Sequence, residues 1–266
     1  MSRVVVIGAG LGGLATAARL AAAGHTVTVF ESADTVGGKL GLLERDGFTF
    51  DTGPSLLTLP AVLQQVFADT GAPLELPLSA VDPACSYVFG DGTTLTLPHD
   101  AAAVPAALDA GLGAGAGVAW QRLHDRSRRL WELVGEPVLR RPVSLAAMAR
   151  MSTRPADLRV VAPWLTIDGL GRRMLPDARL RTWLNRYATY SGSDPRRTPA
   201  VLSVTAFVEQ EFSAWYVPGG LRRIVEALAE RCRELGVEVH TATPVESVTV
   251  RDGRATGVRV GGRDVT

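Results

Sequence analysis

A cluster of glycines and one acid near the start of the chain could do the first chemistry. Gly8, Gly10, Gly12 and Gly13 follow the apolar run at residues 4–7, and Glu31 closes the next apolar run, Thr26–Phe30. A strand, a glycine turn, a helix of small residues and an acid about 20 residues on form a dinucleotide-binding βαβ pattern. Gly8 allows the tight turn off the strand. Gly10 removes the Cβ that would clash with a pyrophosphate, and Gly13 lets the helix pack close to the sheet. Unpaired N–H groups and the positive dipole end at the helix N-terminus favour anionic oxygen. Glu31 is placed to accept hydrogen bonds from ribose hydroxyls and disfavours a 2′-phosphate.

A second glycine loop decides which dinucleotide is expected. After Glu31 a nicotinamide-binding chain would run into another helix and parallel strand, whereas here Gly37, Gly38 and Lys39 make a further loop. Alternating apolar and polar residues at 40–44 and 48–51, on either side of Asp46-Gly47, then predict a hairpin. A glycine pair lets backbone pass close to a long extended cofactor, so FAD is expected. Lys39 is the only lysine in the chain; it adds charge near the phosphates or is a solvated surface residue.

The elements that must position these groups follow from periodicity. A helix with Thr58 as cap and Pro60 in its first turn is expected to residue 68, then strands at 74–79, 86–89 and 93–97. Residues 100–134 read as helix broken by the Gly and Ala tract at 111–117. Residues 145–190 read as helices broken at Pro155, Pro163 and Pro176, rich in apolar and aromatic residues from Trp164 to Tyr190. Most of these are core; the remainder line a channel for an apolar substrate or touch a membrane.

Past Gly219-Gly220 an amphipathic helix puts Leu221, Ile224, Val225, Leu228, Cys232 and Leu235 on one face. Arg222, Arg223, Glu226, Glu230, Arg233 and Glu234 cover the other, solvent face. A strand at 237–240 and a hairpin about Asp252-Gly253 return the chain to the first sheet. The expected fold class is α/β: a Rossmann-like FAD-binding domain, residues 1–72 and 215–266, with an inserted α+β substrate domain, residues 73–214. The sheet lacks a next strand after the hairpin, so the chain is expected to be C-terminally incomplete.

Composition narrows the partners. The chain has 266 residues, 46% hydrophobic, with a formal net charge of +1; no nucleic-acid partner is expected, because that needs a concentrated basic face. The basic stretch at 122–129 is interrupted by Asp125 and reads as a solvated helix face. Cys85 and Cys232 have no metal-type spacing, and Cys232 reads as a small core residue. With the first strand starting at residue 3, no signal peptide is expected, which points to the cytoplasm. No run supplies the roughly 20 apolar residues that span a bilayer. His25, His99, His124 and His240 share no spacing and read as satisfied or solvated; no metal site is expected. Glu209 and Glu211 are carboxylates available to assist proton removal, but no residue is assigned as catalytic.

Gly8-Ala-Gly-Leu-Gly-Gly13, Val36-Gly-Gly-Lys39, Phe50-Asp-Thr-Gly-Pro54, Arg186-Tyr-Ala-Thr-Tyr-Ser-Gly192 and Tyr216-Val-Pro-Gly-Gly220 together resemble the bacterial phytoene desaturase family. These are carotenoid oxidoreductases within the amine-oxidase-like FAD flavoproteins, and the resemblance runs along essentially the whole chain. It implies non-covalent FAD, hydrogen removal from a long isoprenoid polyene, and peripheral association with the cytoplasmic membrane. By position it implies pyrophosphate contact at Gly8, Gly10 and Gly13, ribose contact at Glu31 and a second phosphate approach at Gly38 and Lys39. Arginine is common where Lys39 stands. Asp51, Gly53 and Ser55 would lie near the flavin ring, and Val245 would meet the adenine through its backbone. Members usually continue to a further glycine-rich FAD contact. The alternatives are a redox-neutral carotenoid isomerase, a flavin amine oxidase, and a non-catalytic prenyl-binding protein of the Rab escort or dissociation-inhibitor type.

Overall fold

A computed structural model describes residues 1–140 and 154–266, with backbone alone for 136–140. The chain forms two compact units, Met1–Ser79 with Trp215–Thr266, and Ala80–Ala214. The sequence reading began the inserted part at residue 73. Residues 73–79 fall in the first unit instead, because Leu74, Leu76 and Leu78 pack against its core. They form no strand until Ser79, and Pro73 and Pro77 withhold the N–H groups a ladder would need.

The first unit opens with β1 (Arg3–Ile7), α1 (Leu11–Ala22) and β2 (Thr26–Phe30). The two strands run parallel in the register Arg3↔Thr26 to Ile7↔Phe30, as a right-handed βαβ crossover requires. Helix α1 buries Leu14, Ala17 and Ala18, one helical face, and ends at Gly24 with φ +89°. Strands β3 (Leu42–Arg45) and β4 (Phe48–Asp51) pair antiparallel. Asp46 and Gly47 both take positive φ, +52° and +80°, the conformation a two-residue hairpin turn demands. Helix α2 (Pro60–Asp69) starts with proline at its first turn. Its cap is Leu59, with no side-chain bond, so Thr58 does not fill the capping role expected of it.

The second unit contains the hairpin β5 (Cys85–Val88) and β6 (Thr94–Leu97), then α3 (Val104–Leu112) and α4 (Ala116–Arg140). Gly113 and Gly115, at φ +107° and +91°, make the break between the helices. Among the described residues four shorter helices follow: α5 (Pro155–Val161), α6 (Ile167–Met174), α7 (Ala178–Arg186) and α8 (Val204–Phe212). Their core centres on Trp120 stacked on Trp183, with ring centroids 3.6 Å apart, surrounded by Leu108, Leu123, Leu180 and Leu184. Of the apolar stretch read at 145–190, residues 145–153 lie outside the described residues. Trp164 and Tyr190 are exposed, and Ile167, Leu170, Trp183 and Tyr187 are core.

The chain re-enters the first unit through α9 (Arg222–Glu234), and β7 (Glu238–His240) adds in parallel to β2, giving the sheet order β1-β2-β7. Ile224, Val225, Leu228 and Cys232 of α9 share one core with Leu14, Ala17 and Ala18 of α1. Burial pushes the Cys232 thiol up to about 11, as befits a core residue. Strands β8 (Val245–Arg251), β9 (Arg254–Val260) and β10 (Arg263–Val265) form a separate antiparallel sheet, so only β7 joins the first sheet. The sequence reading did not anticipate β10. Gly261 and Gly262, at φ +55° and +73°, turn the chain back on itself there. Among the described residues no helix is long and apolar enough to cross a membrane.

The Trp120–Trp183 stack yields a stability prediction. Trp183→Ala should cost about 3–5 kcal/mol in urea unfolding, whereas Trp164→Ala, at an exposed position, should stay within about 0.5 kcal/mol of the parent.

Candidate functional site

The first glycine loop is built by backbone. Gly8 N donates to Phe30 O at 2.7 Å, and its φ of +97° is one a side chain resists. A Cβ at Gly13 would stand 2.0 Å from Gly8 O, so the protein itself requires glycine there for the helix to meet the turn. Gly10 differs. Its φ of −76° and ψ of 178° suit any residue, and a Cβ would meet nothing nearer than Gly37 O at 3.9 Å. Neither backbone conformation nor protein packing calls for glycine at 10, and the open space fits the approach of a ligand. A Cβ at Gly12 has no neighbour within 4 Å. Helix α1 has no side-chain cap and no acid in its first turn, so its leading N–H groups and dipole face outward for an anion.

Glu31 is nearly buried and tied to this loop. Its Oε2 accepts Ala9 N–H at 2.7 Å, and its Oε1 accepts Ala33 N–H at 2.8 Å and the Ser32 hydroxyl at 3.1 Å. The Ala33 and Ala9 N–H groups hold its carboxyl below the usual value of 4.5, against an upward push from burial. An ionised carboxylate has about four acceptor sites, which leaves capacity for a ribose hydroxyl.

The second loop crosses the first. Gly37 N donates to Ala9 O at 2.9 Å, and Gly10 and Gly37 form an isolated parallel bridge. Gly37 and Gly38 sit at φ +129° and +56°. Lys39 is exposed. A Cβ at Gly53 would lie 1.8 Å from Lys39 O, so the strand leaving the hairpin presses against the second loop through Gly53. Asp51, expected near a flavin ring, accepts Leu221 N–H at 3.0 Å and Arg222 N–H at 3.4 Å and thereby caps α9. Gly220, at φ +92°, admits it: a Cβ there would be 2.9 Å from Asp51 Oδ1. Ser55 is exposed. Val245 opens β8 opposite Val260, two residues after Thr243, whose N–H donates to Glu31 O at 2.8 Å.

Several polar residues are placed differently from their sequence reading. Arg222, assigned to the solvent face of α9, has a side chain only 15% exposed, with Nη1 2.8 Å from the point a Gly37 Cβ would occupy. Helical period put it among exposed neighbours, and no local signal marks its contact with a loop far away in sequence. His124 and Ser127 are buried within the stretch read as a solvated face, and neither side chain has a hydrogen-bond partner. Burial pulls the His124 imidazole below its ordinary value, with Glu211 pulling the other way.

Glu209 accepts from the Tyr187 hydroxyl at 2.9 Å, the Tyr190 hydroxyl at 2.7 Å and the Arg186 guanidinium. That guanidinium also lies over the Tyr87, Tyr187 and Tyr190 rings. Glu209 is therefore the common acceptor of three donors in the second unit. Glu211 stands 3.5 Å from Arg128 and 3.7 Å from His124. Among the described residues no group of three or more His, Cys, Asp or Glu side chains could hold a metal ion.

A parallel βαβ unit with two crossing glycine loops and an acid at the second strand end defines a dinucleotide-binding α/β protein. The chain belongs to the flavin-containing amine oxidoreductase family, whose sequence profile matches residues 11–266. It is 34% identical over 266 residues to a 4,4′-diapolycopene oxygenase from Methylomonas sp., covering 99% of this chain and 53% of that protein. It is 36% identical over 272 residues to a zeta-carotene-forming phytoene desaturase from Myxococcus xanthus, covering 99% and 51%. The chain thus spans about half the length of the curated relatives it matches. The solved structure of an oxidoreductase from Methanosarcina mazei shares the fold over 100% of this chain and 57% of its own, at a TM-score of 0.63 and 20% identity. The motif resemblance to phytoene desaturases agrees with these relatives. The cofactor expected from the two loops, FAD, is a flavin as the family requires.

The lowered Glu31 carboxyl fixes a pH dependence. Its stabilising contribution is fully present above the unfolded value near 4.5 and is lost as pH falls through the lower folded value. Denaturant unfolding between pH 6 and 3 should show Glu31→Gln losing less stability on acidification than the parent.

Proposed function

We propose that the first unit holds the ADP part of FAD where its two glycine loops cross, and that the protein removes hydrogen from a long isoprenoid polyene. The observation that carries the reading is Gly10, a position where neither φ nor contact with a Cβ calls for glycine and where α1 directs unpaired N–H groups. Gly8, Gly10, Gly12 and Gly13 would receive the pyrophosphate, Glu31 the ribose, and Gly37, Gly38 and Lys39 the second phosphate approach. The backbone at Val245, following the segment bonded to Glu31, would meet the adenine. Gly53 and Ser55 would lie toward the flavin ring, with Asp51 between them and the α9 terminus it caps.

The second unit, rich in buried aromatic and aliphatic residues, is the proposed substrate domain. Bound FAD would supply a two-electron acceptor for a hydride; the chain's own work is to hold the dinucleotide extended and to keep the reacting carbons dry. Names of relatives support a carotenoid-type substrate, and desaturation matches the phytoene desaturases among them. A substrate of this kind dissolves in lipid, so a cytoplasmic protein with peripheral membrane access is the proposed setting.

Two measurements test this. Gly10→Val should leave the ligand-free protein folded, since its φ suits valine, and should abolish FAD binding; stoichiometric flavin in the variant overturns the site. Supplied with FAD and phytoene in liposomes, the protein should yield products with longer conjugated chromophores. Oxidation of an amine with no polyene conversion overturns the substrate class.

A further inference from the structure

Two arginines of α9 are not exposed, Arg222 and Arg231, and they differ in their partners: Arg231 donates to Thr70 and Glu234. Arg223, Glu226, Glu230, Arg233 and Glu234 are exposed, whereas the Arg222 side chain is 15% exposed and runs inward over the second glycine loop. Among the described residues its guanidinium makes no hydrogen bond. Nε is buried without a partner, and its ionic contact is Glu226 at 3.4 Å, a side chain 55% exposed. A buried donor left unpaired is costly, and Nε is one. An exposed i,i+4 pair offsets little of that.

The position is also wrong for a cation acting alone. Arg222 is the first residue of α9, where the helix dipole is positive and repels it. Asp51 neutralises that helix end through the Leu221 and Arg222 N–H groups but leaves the guanidinium untouched. Meanwhile Gly37 is shaped to admit it. A Cβ there would lie 2.8 Å from Nη1 and 3.4 Å from Cζ, and the same residue bridges to Gly10. An uncapped α1 N-terminus and a guanidinium with a buried, unpaired Nε therefore meet the same pair of glycines.

We propose that Arg222 is a cofactor-binding residue that donates its guanidinium fork to a phosphate oxygen of FAD at the Gly10–Gly37 crossing. This rests on the FAD site proposed above and adds to it a bidentate cation where Lys39 provides only a point charge.

Calorimetric titration of the 266-residue chain with FAD and with ADP, at low and high salt, tests it. Arg222→Met should weaken both ligands by roughly ten- to hundredfold and flatten the salt dependence, with Arg222→Lys in between. Because a hydrophobic isostere removes an unpaired buried charge, the ligand-free Arg222→Met protein should melt at or above the parent temperature. Binding within twofold of the parent overturns the proposal. So does an affinity loss that accompanies a lowered melting temperature in both variants, which would make Arg222 structural. If the parent binds FAD and ADP and Gly10→Val does not, the site stands whatever Arg222 does; a parent that binds neither ligand overturns the site and Arg222's role together.

Discussion

The backbone of Ala9 is the constraint on which the first unit depends. Its N–H goes to the Glu31 carboxylate and its carbonyl receives Gly37 N–H, so one fully buried residue joins the turn after β1, the end of β2 and the second glycine loop. Glu31 extends the tie with its own backbone, donating to His240 O and accepting from Thr243 N–H. The parts of the first unit that precede and follow the inserted segment in sequence are thereby registered against the same few atoms. Loss of a buried hydrogen bond here leaves a polar group stranded at the centre of the unit.

Two helix N-termini of this unit, those of α1 and α9, are treated in opposite ways. Helix α9 is closed by Asp51, a carboxylate delivered from the hairpin through the gap left by Gly220. Helix α1 has no cap and no acid. An unpaired N-terminus beside glycines that keep backbone accessible is suited to a bound anion, and a capped one is suited to holding the fold. The same hairpin that caps α9 braces the second loop through the contact of Gly53 with Lys39 O, so the loop's position is set from both sides before any ligand arrives.

In the second unit the charges serve packing. Arg186 is enclosed by three tyrosine rings and Glu209. Burial works against its charge, and Tyr187, Glu209, Tyr87 and Tyr190 more than offset this, so its pKa is raised. Arg186, Tyr187 and Tyr190 of the motif that carries the family resemblance thus converge on Glu209, while Arg186 Nε is buried without a partner.

The βαβ unit, the Asp46-Gly47 hairpin, the apolar face of α9 and the return strand β7 were legible in the amino-acid sequence because each depends on neighbours within a turn or two. Strand alternation, helical period and the positive φ that glycine accepts are local properties. So were the glycine loops and the acid, Gly8, Gly10, Gly13, Glu31 and Gly37, on which the site is proposed. What period alone could not decide was where a side chain goes when its partner is far away in the chain. Asp51 reads as a site residue and caps α9; Arg222 reads as solvent-facing and lies over Gly37; His124 reads as solvated and is buried beside Phe207. Those placements follow from long-range packing, which brings together groups that no spacing in the sequence links, and only the tertiary structure decides them.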